Sequence, residues 1–293
     1  MILARVFTSL LSITLLAAAS ARAQTPADDE AVDRALRHAT PEWQALAAHM
    51  PDAATAAPGA LELAGDVLRA RRMPEDALDY YHYALQRGGD EARLQNDIGV
   101  TLLGLQRYDE ARVAFRRALK LQPKGARTWN NLGAAEYVSG NVKAALTDYQ
   151  RAVKLDKREA VFHANLGTAY FEVKNYEDAR DQLDKAVKLD RNIFHSGGWA
   201  GVQAHVLSAS DHGRFCYEMA KMSARQHEDE DTIRWLGRSV EAGFDIMAEM
   251  SGDKDFELYR KDNRVLTLVR NAKAMRQHGQ IADSGLAPPP PAE

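Results

Sequence analysis

Apolar residues along this chain fall at three- and four-residue spacing in pairs of short runs, and the pairs recur at a constant interval. Writing the sequence in rows of 34 residues from Pro58, Ala92, Ala126 and Ala160 brings one pattern into register four times without a gap. In the third row Trp129, Leu132 and Gly133 are followed by Gly140, Ala145, Tyr149, Ala152 and Leu155. The second row holds Ile98, Gly99, Leu102, Tyr108, Ala111, Phe115, Ala118 and Leu121, and the fourth Leu166, Gly167, Tyr170, Tyr176, Ala179, Leu183, Ala186 and Leu189. The first is looser, with Ala64, Gly65, Leu68, Ala77, Tyr81 and Ala84. Each row therefore predicts two helices broken by turn residues such as Ser139 to Asn141, that is, a helical hairpin. Gly133 and Ala145 remove bulk where the two helices cross, Ala152 admits the next hairpin, and aromatic side chains, Trp129 among them, fill what remains between the helices. One hairpin cannot cover its own apolar face, but stacked neighbours can, so the predicted fold is all-α with a continuous core.

The W-x-x-L-G spacing from Trp129 to Gly133, followed by A-x-x-x-Y-x-x-A from Ala145 to Ala152, resembles the tetratricopeptide repeat. The resemblance covers four rows, 58–91, 92–125, 126–159 and 160–193. It implies a right-handed α-α superhelix, a solenoid whose concave groove is lined by the first helix of each hairpin and binds a protein or peptide partner. The inward slots it assigns are Glu62, Asp66 and Arg69, then Asn96, Val100 and Leu103, then Arg127, Asn130, Ala134 and Tyr137, then Ala164, Thr168 and Phe171. An acidic start thus gives way to an apolar and aromatic floor. Asp97, Asn131 and Asn165 share one slot, and the two Asn are expected to offer donors and acceptors to a peptide backbone, as a similar ladder does in O-linked N-acetylglucosamine transferases. The carboxylate clamp of heat-shock cochaperones is argued against, because Glu62, Asp66 and Asp97 occupy slots where that clamp needs cations and amides.

Outside the rows, Met1 to Ala23 carries Arg5, an apolar run from Val6 to Ala18 and small residues at Ala21 and Ala23, the pattern of a signal peptide cut before Gln24. That run is shorter than the ~20 residues a bilayer requires, so no membrane insertion is expected. Residues 24–57 are read as a helical cap and linker, with helices over Glu30 to His38 and Pro41 to Met50, Thr40 as N-cap, and an Ala/Pro-rich link from Pro51 to Pro58. The register is lost over 194–212, an irregular insertion in which Trp199 is expected to anchor against the array. Residues 213–277 read as a degenerate repeat hairpin and a C-terminal cap, with Glu228 to Asp231 at its turn, and 278–293 as a Pro-rich disordered tail.

Charge and side-chain chemistry narrow the function. The net charge of −3 becomes −5 once Arg5 and Arg22 are removed with the leader, which favours neither nucleic acid nor anionic lipid. Cys216 is the single cysteine, so no internal disulfide can form, and its slot predicts a buried, inert thiol. No His-Glu-x-x-His, paired cysteines or phosphate-cradling loop is present, His205 and His212 read as ordinary polar residues, and Ser196 lacks the flanks of a nucleophile elbow. No cofactor, metal or catalytic residue is expected. The expectation is a periplasmic adaptor or assembly scaffold, with extracellular release, a holdase-like chaperone, or an enzyme or carbohydrate-binding module using the insertion and C-terminal region as alternatives, the last favoured if Trp199, Trp235 and Phe256 cluster in an open pocket.

Overall fold

The computed structural model describes residues 26–194 and 209–283; the leader, Ser196, Trp199, His205 and the last ten positions lie outside the described residues. The chain divides into two units, Met1–Ala56 and Ala57–Glu293. The first holds α1 (Pro26–His38) and α2 (Pro41–Ala47). α1 begins four residues before the expected start at Glu30. Thr40 caps α2, its hydroxyl accepting from the Trp43 amide at 3.2 Å while donating to the Arg37 carbonyl at 2.7 Å, and Trp43 stacks on His38 with ring centres 3.9 Å apart.

In the second unit four hairpins follow one another: α3 (Pro58–Ala70) with α4 (Pro74–Gln86), α5 (Glu91–Gly104) with α6 (Tyr108–Leu121), α7 (Ala126–Val138) with α8 (Val142–Leu155), and α9 (Ala160–Glu172) with α10 (Tyr176–Leu189). One contact repeats inside each. A Cβ added to Gly65, Gly99, Gly133 or Gly167 would meet Tyr81, Phe115, Tyr149 or Leu183 at 2.5 to 2.8 Å, so a bare backbone in the first helix is what admits a large side chain from the second. Tyr81, Phe115 and Tyr149 are fully buried. The turn also repeats. Arg72, Gln106, Gly140 and Lys174 all adopt positive φ, and the next residue's amide reaches back to close a Schellman motif, as from Asn141 to the Glu136 carbonyl at 2.8 Å.

The expected Trp129 position is corrected. Its ring is half-buried on the outer side of the hairpin, and Nε1 donates to the Pro123 carbonyl at 2.9 Å; Tyr149 fills the space between α7 and α8 instead.

A fifth hairpin, α11 (Ala209–Arg225) with α12 (Asp229–Glu241), keeps the repeat's own turn, with His227 at φ 57°. It does not continue the stack. Arg214 lies over the Tyr176 ring at 4.9 Å, Glu218 pairs with Arg180 at 2.6 Å, Gln226 meets Asp184, and Glu228 pairs with Arg191 at 2.6 Å. Residue numbers rise together on both sides, so α11 runs parallel to α10. Earlier junctions are antiparallel by necessity, since α6 and α7 are joined by Gln122 to Gly125 alone. A parallel neighbour requires a connection as long as α10, about 20 Å at 1.5 Å per residue. In sequence, α10 and α11 are separated by residues 190–208, enough chain for such a connection. The expected run of Glu228 to Asp231 as a loop is also corrected: Asp229, Glu230 and Asp231 form the first turn of α12, where carboxylates complement the helix dipole.

The chain closes with α13 (Ile246–Met250), a 3-10 turn (Lys254–Phe256) and α14 (Asn263–Asp283), which runs six residues into the stretch expected to be a disordered tail. Phe256 is fully buried against Tyr217 at 5.1 Å, and Arg260 holds the connecting turn through the Met250 and Asp253 carbonyls, both at 2.7 Å.

Candidate functional site

The first helices α3, α5, α7 and α9 lie side by side along one inner face, and Asn side chains join them across repeats. Asn131 donates to the Asn96 carbonyl oxygen at 3.0 Å, and Asn165 donates to that of Asn130 at 2.8 Å. Each rung therefore links the sixth position of one row to the fifth of the row before. Asn130 and Asn165 are buried, whereas Asn96 and Asn131 are half-buried and keep part of their hydrogen-bonding capacity. The same-slot ladder expected to meet a peptide is thus, at Asn165, spent on holding repeats together.

Over the first three hairpins the face stays polar and open. Asp66 accepts from the Tyr81 hydroxyl at 2.8 Å, Arg69 donates to that hydroxyl at 3.1 Å, and Arg93 pairs with Glu62 at 2.5 Å. Burial, and then the Asp66 charge, raise the Asp97 carboxyl above its ordinary range, while an Asn96 amide bond opposes them. Val100 and Leu103 are half-buried, and Arg127 is exposed and makes no ion pair among the described residues.

The aromatic floor is not part of this open surface. Tyr137 is 2% exposed and packs with Ala145, Tyr149 and Leu166; Phe171 is 3% exposed between Tyr176 and Phe215, each 5.3 Å away; Thr168 is buried with its hydroxyl on the Ala164 carbonyl. The reversed fifth hairpin brings Phe215 onto Phe171, which is why the fourth repeat is closed. Of the sequence-predicted residues, Asn96, Val100, Leu103, Arg127 and Asn131 remain accessible, and Asn130, Tyr137, Asn165, Thr168 and Phe171 do not.

A feature missed at the level of sequence lies on the outer side. Glu136, 3% exposed, sits where the other rows carry Leu68, Leu102 or Tyr170, and accepts from Arg112 at 3.2 Å, Arg116 at 2.7 Å and Asn141 at 2.9 Å. With Trp129, Leu119, Lys120, Thr147 and Asp148 it lines a cleft of about 530 Å³ between α6 and α8. Burial, aided by the Glu136 charge, raises the Asp148 carboxyl to about 6. The legible signal was a carboxylate in an apolar slot, matched by two cations one row earlier.

A family profile described as tetratricopeptide repeat matches residues 62–126, 96–160 and 130–192. This is a tetratricopeptide-repeat protein. Among solved structures it is similar to PilF of Pseudomonas aeruginosa, at 16% identity over 73% of this chain and 82% of that chain, with a TM-score of 0.48. MamA from Desulfovibrio magneticus RS-1 is 20% identical over 70% of this chain and 99% of that one, at a TM-score of 0.46. YrrB, described as a tetratricopeptide-repeat protein with an unusual peptide-binding site, is 18% identical over 73% and 91%, at 0.44. A comparison with curated proteins gives no match. As a tetratricopeptide-repeat protein the chain is a scaffold for protein-protein interaction.

The tetratricopeptide array and its C-terminal hairpin present little reactive chemistry. Cys216 is fully buried and its thiol is pushed up to about 12, chiefly by burial. Phe256 is fully buried, and Trp235 is 4% exposed at the wall of a cleft of about 450 Å³ that it shares with Phe194, Met219 and Met222. Among the described residues no group of three His, Cys, Asp or Glu side chains is arranged to hold a metal, and no helix is long and apolar enough to cross a membrane.

Proposed function

We propose that this protein is an exported, periplasmic adaptor that acts by binding rather than by catalysis, holding a peptide segment or helix of a partner along the inner face of its first three hairpins. The observation that carries this reading is the accessible set Asn96, Val100, Leu103, Arg127 and Asn131, which combines spare amide groups, two half-buried apolar side chains and a cation with no ion pair among the described residues, all on adjacent helices. Apart from Leu103, which also packs against the core around Tyr137 and Tyr149, these groups are not among the core residues, and a bound backbone could use them. The leader pattern ending at Ala23 supports export.

The test is affinity capture from the native envelope, comparing the intact chain with an Asn96→Ala, Leu103→Ala, Arg127→Ala, Asn131→Ala variant of equal helicity. The expected result is loss of the partner that the intact chain retains, because each lost hydrogen bond removes about 0.5 to 1.5 kcal/mol and a truncated anchor about 2 kcal/mol. Undiminished capture by the folded variant would remove the inner face from the interaction. Terminal sequencing of exported material should begin at Gln24; a retained leader would refute the location.

A further inference from the structure

On the outer side, one repeat after the Trp129 cleft, the same gap between second helices recurs with a different charge. This cleft, about 650 Å³, is walled by Gln150, Val153, Lys154 and Lys157 from α8 and its following turn, and by Gln182, Lys185, Lys188 and Leu189 from α10; its floor is His163, Leu166 and Tyr170 of α9. The Trp129 cleft carries its own acids, Glu136 and Asp148, against Arg116 and Lys120. No carboxylate lines the later one. Lys188 is answered by Asp184 at 2.6 Å, but Lys154, Lys157 and Lys185 are exposed and make no ion pair among the described residues. Three uncompensated ammonium groups stand close together on a chain whose net charge is −3, so the cleft is a local positive island.

Its interior is apolar and rigid. Leu166 is buried, Val153 and Tyr170 are half-buried, and Leu189 leaves 44% of its surface to water on the rim. His163 is fixed from both ring nitrogens, by the Lys157 carbonyl at 3.1 Å and the Gln182 side chain at 2.8 Å, and Gln150 donates to the Tyr170 hydroxyl at 2.8 Å. From His163 to Tyr170 the floor extends about 10 Å, the length of three extended residues.

We propose that this cleft docks a short acidic segment of a partner protein, its apolar side chains on Val153, Leu166 and Leu189 and its flanking carboxylates on Lys154, Lys157 and Lys185. This is a second surface, separate from the inner face. Charge complementarity selects carboxylates, and the recessed floor selects a narrow chain rather than a bilayer, because Leu189 is the one strongly exposed apolar side chain of the lining. A nucleic-acid strand would need stacking platforms; the floor offers one tyrosine, already hydrogen-bonded.

The test uses the full chain and a fluorescein-labelled nonapeptide alternating Leu with Glu, followed by anisotropy. Saturable binding should weaken as salt is raised and should be lost with a peptide carrying Lys in place of Glu. The Lys154→Glu, Lys157→Glu, Lys185→Glu variant should bind at least tenfold more weakly, and Leu189→Asp, a solvent-facing change that leaves the core intact, several-fold more weakly. The inner-face quadruple variant should bind normally, which separates this surface from the one proposed above. Absence of binding, equal binding of the Lys peptide, or unchanged affinity in both cleft variants would overturn the proposal. Tighter lysine-dependent binding of phosphatidylglycerol vesicles or a single-stranded oligonucleotide would overturn it as well.

Discussion

The contact between Gly133 and Tyr149 gives a substitution whose sign, and not only its size, is set by the packing. A Cβ at Gly133 would stand 2.8 Å from both Cδ1 and Cε1 of Tyr149. Ordinary carbon contacts lie at about 3.5 to 4.0 Å, so the ring or the helix must move by roughly 1 Å. The ring cannot swing into water, being fully buried in a cluster with Ala134, Tyr137, Ala145, Leu166 and Ala169. Overpacking of this kind costs about 1 to 3 kcal/mol, and replacing a helical Gly by Ala returns about 0.5 to 1 kcal/mol. Gly133→Ala should therefore destabilise by about 0.5 to 2 kcal/mol. Gly104→Ala is the control: it is also helical, nothing lies within 4 Å of its added Cβ, and it should stabilise by up to about 1 kcal/mol. Guanidinium titration followed by far-ultraviolet circular dichroism reads both, provided the slopes match. In a Tyr149→Ala background, the Gly133→Ala change should become neutral or stabilising. A Gly133→Ala protein as stable as the wild type, or a cost that persists without the ring, would refute the packing account.

Asp148→Asn should stabilise the protein above pH 6 and confer progressively less advantage as pH falls toward 4. The folded carboxyl at about 6 lies above its unfolded value of about 3.9, so the ionised folded state is the disfavoured one. Thermal melts of both proteins across that range check the trend, and an advantage that grows on acidification would contradict it. Glu218→Ala should leave the Arg180 guanidinium without its 2.6 Å partner at the junction between α10 and α11, costing about 3 kcal/mol and releasing amide exchange first in the fifth hairpin. Uniform protection across all five hairpins in that variant would mean the pair does not govern docking.

Much of the array was legible because its restraints are local and periodic. A glycine opposite a large side chain (Tyr81, Phe115, Tyr149 and Leu183 in turn), a turn at a fixed interval and small residues at crossings each recur every 34 positions, so the rows reinforce one another. What escaped depends on contacts between segments of unrelated spacing. Trp129 was placed inside its hairpin because the pattern is silent on which ring, Trp129 or Tyr149, faces Gly133. Tyr137 and Phe171 occupy slots that face a groove in an ideal stack, but the cover over Phe171 comes from Phe215, across a stretch without register. The direction of the fifth hairpin was equally invisible: its internal turn at His227 is that of a repeat, and it is contacts such as Arg180 with Glu218 and Arg191 with Glu228 that reveal that it lies parallel to α10. The Asn residues are legible as a shared slot, while their use, rung by rung between neighbouring repeats, depends on a one-position offset set by how the folded repeats stack.

The parallel docking of α11 on α10 bears on how such a gene can lengthen. At every earlier junction the trailing face of one hairpin accepts the leading face of the next, so a duplicated 34-residue unit inserted between α6 and α7 would find compatible surfaces on both sides. Beyond α10 that interchangeability ends. A unit appended after α12 would find that helix already packed against α14. Growth by internal duplication remains open while terminal addition is closed, so the last hairpin acts on this lineage as a chain-terminating monomer acts on a polymer.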